Sequence, residues 1–153
     1  MASFFFDSSG VVKRYVAEIG TAWVSSIMRP SSRNPLYLAR LAGVEVISAI
    51  VRRTRTGSLS AAHAAAGLAR FRAEFKTRFQ IVGITVAVVK RAMTLAETHH
   101  LRAYDAVQLA AALQVHKRYQ ALGRPLTLIS ADTDLNAAAI TAGLLVEDPN
   151  SHP

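Results

Sequence analysis

Apolar runs alternate with amphipathic segments along most of this chain, which predicts an α/β fold with a central, mainly parallel sheet flanked by helices. Three stretches carry the prediction. Phe4-Phe5-Phe6 and Leu126-Thr127-Leu128-Ile129-Ser130 are short runs with little polar alternation, as strands covered on both faces require. Leu101 to Leu113, LRAYDAVQLAAAL, has apolar residues at helical spacing and one acid, Asp105. A lone carboxylate in so apolar a helix is costly to bury unless positive charge meets it. A helix N-terminus supplies part of that charge and a metal ion could supply the rest.

The remaining elements follow in chain order. Asp7-Ser8-Ser9-Gly10 ends the first strand, with Ser8 or Ser9 as a candidate N-cap, and Val11, Val12, Tyr15 and Val16 recur at helical spacing. Thr21 to Met28 fits a strand or a helix alone, and the surrounding alternation favours a helix. Arg29 to Pro35 is a loop. Leu36 to Ala39 is a strand, and Ala42 to Arg53 a helix with a Val44, Ile47, Val51 stripe. Ser60 to Phe79 is an Ala-rich helix carrying Leu68, Phe71 and Phe75, followed by a strand over Phe79 to Val82. Val86 to His99 is helical. The Asp105 helix runs to about Leu122, where Gly123-Arg124-Pro125 stops it. After the strand Leu126 to Ser130 come a helix over Leu135 to Ala142 and a last strand over Leu144 to Val146.

These elements suit one domain over residues 1–149, with 150–153 as a short tail. No apolar run reaches the roughly 18 residues of a membrane span. The opening MASFFFDSS lacks the basic start of a secretory leader. With no cysteine, disulfides, zinc–thiolate sites and thiol nucleophiles are excluded. The expected location is the cytoplasm. The net charge of +8 favours a polyanionic partner, nucleic acid above all, over an acidic protein.

Five acids stand in unusual settings. Asp7 and Asp132 follow strands, where parallel α/β folds collect ligands. Glu45 lies among small and apolar helix residues, Asp105 opens its helix, and Asp134 follows Asp132 closely. Each has a structural alternative: Asp7 and one of Asp132 and Asp134 as helix caps, Asp105 as a complement to the helix dipole, Glu45 as a partner of Arg40 or Arg52. Carboxylates gathered in one crevice repel each other, and Mg²⁺ or Mn²⁺ would relieve that through oxygen ligands. Two such ions, about 4 Å apart, can activate water and stabilise the leaving oxygen of a phosphodiester.

In order, FFFDSSGVVKRYV, LARLAGVEVISAIVRR, LRAYDAVQLAAAL and LTLISADTDLNAAAITAGL resemble the PIN-domain ribonucleases, most closely the VapC-type toxins of bacterial toxin–antitoxin pairs. The resemblance implies a PIN-like fold and an endoribonuclease dependent on Mg²⁺ or Mn²⁺. Carried over by motif, its acids are Asp7, Glu45, Asp105 and Asp132, with Glu45 reaching the metal directly or through water. Ser9 and Ser130 would support the metal shell, and Asp134 would assist or cap. It also implies a homodimer and an antitoxin whose segment inserts an Arg or blocks the acidic cleft. The absence of a Ser or Thr shortly before Glu45, and the Gly43 beside it, depart from the pattern.

Lys13, Arg14, Arg52, Arg53 and Arg102 lie close in sequence to the acids and are candidate grips for RNA phosphates. Arg70 to Arg78 read better as a solvated helix face. Tyr15, Trp23, Tyr37 and Tyr104 are candidates for base stacking. The histidines have no ligand spacing, and no Ser-His-Asp arrangement or Gly-rich phosphate loop occurs. Rival readings are a non-catalytic RNA- or protein-binding module, a metal-dependent phosphatase or DNA nuclease with the same acids, and a toxin acting mainly as the repressor partner of its antitoxin.

Overall fold

The computed structural model describes residues 1–153. Five short strands, β1 (Phe4–Phe6), β2 (Leu36–Ala39), β3 (Gln80–Val82), β4 (Thr127–Ile129) and β5 (Leu145–Glu147), form one sheet in the order β3-β2-β1-β4-β5. Every neighbouring pair is parallel. Seven helices cover it: α1 (Ser8–Val11), α2 (Thr21–Ile27), α3 (Ala42–Arg55), α4 (Ala61–Thr77), α5 (Val86–His99), α6 (Ala103–Ala121) and α7 (Thr133–Thr141). None is long and apolar enough to cross a membrane.

The all-Phe first strand is explained by its central place. Successive side chains point to opposite faces, so Phe5 enters one core while Phe4 and Phe6 enter the other. The Phe5 core is closed by α5, α6 and α7, through residues such as Val88, Leu109 and Leu135. The Phe4 and Phe6 core is closed by α1 to α4, through Val11, Val24, Val46 and Phe71. Burying side chains of this size contributes roughly 1.5–3 kcal/mol each. Helix α6 buries Ala106, Leu109, Ala110, Ala111, Ala112, Leu113 and Val115, and a helix apolar around much of its girth must be interior.

Several local expectations change. Asp7, not Ser8 or Ser9, caps α1. Helix α3 faces the core with Ala42, Val46 and Ile50. Of the expected stripe, Val44 and Val51 are exposed and Ile47 lies at the core's edge. The helix carries two apolar faces, and the period alone cannot say which one the chain itself covers. In residues 150–153, expected as a tail, Asn150, Ser151 and Pro153 are exposed, but Pro149–Ser151 form a 3₁₀ turn and His152 stacks on Trp23 with ring centroids 4.1 Å apart.

Candidate active site

The sheet order fixes where the acids meet. From β1 the chain moves outward through β2 and β3, then returns to lay β4 and β5 on the other side. A crevice opens at the carboxyl ends of strands at such a reversal. Asp7 leaves β1 there, and its N–H donates to the Ile129 carbonyl of β4 at 3.0 Å. Asp132 leaves β4, Glu45 enters from α3, and Asp105 opens α6. All four line one cleft of about 800 Å³, together with Ser9, Arg52, Arg102 and Tyr104.

Capping and cleft-facing roles coexist in single side chains. Asp7 Oδ2 accepts the Ser9 N–H at 3.1 Å and the Ser9 hydroxyl at 2.5 Å, while its buried Oδ1 has no partner. Asp132 Oδ1 caps α7 by accepting the Leu135 N–H at 2.9 Å, and its Oδ2 meets Arg102. Ser9 Oγ also accepts the Ala131 N–H at 3.0 Å and lies 3.4 Å from Ser130 Oγ. Ser130 Oγ in turn accepts the Asp132 N–H at 3.1 Å. The two serines thus tie the end of β1 to the end of β4.

Glu45 pairs with neither Arg40 nor Arg52. Gln108, fully buried on α6, donates its amide to Glu45 Oε1 at 2.6 Å, and its own Oε1 has no partner. This residue was not singled out from the sequence. Its signal was a polar side chain three positions after Asp105, within the apolar stretch from Ala106 to Leu113.

Burial raises the Asp7 carboxyl above its ordinary range, and Asp105 adds to the rise. Burial also raises Glu45, helped by the negative charge of Asp7 and Asp105. Asp105 is raised by burial first and Asp132 next, against the pull of Arg102. The carboxylates therefore feel one another across the cleft. No three His, Asp or Glu side chains are drawn together closely enough to clasp an ion. Instead Arg102 bridges two of them, with Nε 3.2 Å from Asp105 Oδ2 and Nη2 3.1 Å from Asp132 Oδ2. The donors still fit a hard divalent cation: all are carboxylate oxygens, three are held above their ordinary pKa, and Asp7 Oδ1 is orphaned.

Other expectations for this region are corrected. Asp134 is exposed on the first turn of α7 and leaves the capping to Asp132. Lys13 lines the cleft but, rather than standing free as a grip for RNA, is buried and committed to Glu18, the Ile19 carbonyl and Asn150. Arg14 is locked on Glu74 through two hydrogen bonds of 2.7 Å. Arg53 pairs with Glu18 at 2.8 Å. Arg52 is exposed at the cleft. Tyr15 is buried against Glu74, Trp23 is stacked on His152, and Tyr37 meets Tyr119. Only Tyr104 of the four aromatic candidates is exposed on the cleft.

Residues 6–140 match the family model of the PIN domain. The chain belongs to the PIN-domain family. PIN domains are in general nucleases. This PIN domain has the fold of several solved structures. PAE2754 from Pyrobaculum aerophilum is 17% identical with a TM-score of 0.66, over 98% of this chain and 85% of that one. A toxin–antitoxin complex from Klebsiella pneumoniae is 20% identical with a TM-score of 0.61, over 97% and 98%. VapBC-1 from nontypeable Haemophilus influenzae is 14% identical with a TM-score of 0.58, over 96% and 98%. No curated protein matches the chain.

Proposed function

We propose that this PIN domain is a Mg²⁺- or Mn²⁺-dependent endoribonuclease, the toxin of a VapBC-type pair, acting on RNA in the cytoplasm. One observation carries the reading. Four carboxylates from separate elements line a single cleft, and burial or mutual repulsion raises three of them. Four acids in one cleft, Asp7 buried and the other three half-buried, are unfavourable without a cation between them. Asp7, Asp105 and Asp132 would hold the ion, with Glu45 joining directly or through water. A bound divalent ion supplies Lewis-acid activation of water and neutralises charge on phosphate.

The chain's own residues do the rest. The Ser9–Ser130 link holds the ends of β1 and β4 in register, so the carboxylates of Asp7 and Asp132 keep a fixed separation. Gln108 fixes the rotamer of Glu45. Arg52 stands at the rim to take a backbone phosphate, and Tyr104 presents a ring on which a base can stack.

A groove beside the cleft supports an antitoxin partner. It is lined by Val44, Ile47 and Val51 with Phe71 and Phe75, shares Val44 and Ser48 with the cleft, and is edged by Arg40, Arg72 and Lys76. An amphipathic acidic segment is complementary to both its floor and its rim. For a homodimer, Val86, Val89 and Met93 form an exposed apolar stripe along α5 that a second copy would cover.

Expression in a host without the antitoxin tests the reading. The wild type should arrest growth and Asp7→Asn should not. Equal growth with both chains folded would overturn it.

A further inference from the structure

Arg102 is the last residue before α6, in extended backbone two positions after His100 turns with φ 55°. Its side chain is 80% exposed, yet its guanidinium spans Asp105 and Asp132. The contact with Asp132 uses Oδ2, the one oxygen of that carboxylate not committed to capping α7. A metal ion drawing on that uncommitted oxygen would compete with Arg102 for it.

We infer that Arg102 is a resident counter-ion, holding the Asp105–Asp132 pair in the metal-free protein and leaving it when a divalent cation binds, so that it sets the metal affinity of the cleft. This rests on the metal-dependent reading above. The exchange follows from elementary electrostatics. Arg102 keeps one positive charge at every working pH, spread over a planar fork that suits two carboxylates at once. A dication brings twice the charge to the same oxygens. The Arg102 side chain is 80% exposed and belongs to neither core, so its release disturbs no core contact.

The experiment is calorimetric titration of Mn²⁺ into the full chain as wild type, R102Q and R52Q. Arg52 lines the same cleft without a carboxylate partner, so R52Q reports the general effect of removing a nearby positive charge. R102Q should bind Mn²⁺ about three- to tenfold more tightly than wild type, the worth of two exposed ion pairs, and R52Q should change it less. Wild-type binding with R102Q equal or weaker, or with R52Q matching the gain, would overturn the role of Arg102 and leave the metal reading standing. Binding by neither wild type nor R102Q would overturn both. Far-ultraviolet circular dichroism of each variant confirms that the fold is kept, as expected for side chains this exposed.

Discussion

Asp7 shows how one side chain satisfies two demands. Its Oδ2 caps α1 while its Oδ1 stays buried and unpartnered, so the capping and ligating readings of the sequence are complementary. Asp7→Asn keeps an acceptor for the cap and removes the charge, whereas Asp7→Ala removes both. Both variants should lose cleavage, with Asp7→Ala about 1 kcal/mol less stable than Asp7→Asn in chemical unfolding. The raised carboxyls of Asp7, Glu45 and Asp105 also set a pH dependence. A folded-state pKa above the unfolded value means the folded chain binds more protons in between. The associated stability is therefore full below the ordinary carboxylate range and is lost as pH rises through the raised values. Metal-free wild type should lose melting temperature over that rise, and Asp7→Asn should lose less. Gln108 is the second residue-scale case. Gln108→Leu leaves Glu45 without its donor and should lower cleavage by about 10–100-fold with the melting temperature largely kept. The acids were legible because each breaks an apolar pattern. Gln108 was not, because its partner lies on another helix, and the burial of Lys13 could not be read because its partner Asn150 is remote in sequence.

At the scale of elements, the β1–α1–β4 junction is where sequence becomes site. A Cβ on Gly10 would stand 2.5 Å from the Ile129 carbonyl oxygen, and that backbone is held in the sheet. Gly10→Ala should therefore push α1 off β4 and destabilise the chain by about 1–3 kcal/mol in denaturant titration. It should also impair cleavage, since Ser9 would lose its hold on Ala131. Most elements could be read from period and punctuation, and the parallel sheet follows from strands separated by helices. What could not be read was the orientation of α3. Val44 and Val51 look like core in one dimension, and only the packing of α3 on the sheet turns Val46 and Ile50 inward instead.

Over the whole molecule, the charge of +8 is distributed unevenly in function. Lys13, Arg14 and Arg53 are used in internal ion pairs, which leaves Arg52 as an exposed cation of the cleft. Single-stranded RNA binding should weaken with salt by a log–log slope of about 0.7 per phosphate neutralised. Arg52→Ala should reduce that slope by about one contact, equally for different sequences, in a fluorescence anisotropy series. Composition pointed to the polyanion but not to these cations, because net charge carries no information on which side chains are already paired. The most direct measurement is analysis of the ends of RNA cut by the purified wild-type chain, with Mn²⁺ and then with EDTA. The account predicts 5′-phosphate and 3′-hydroxyl ends that form only with the metal. Products bearing 2′,3′-cyclic phosphate, or cleavage that persists in EDTA, would contradict it.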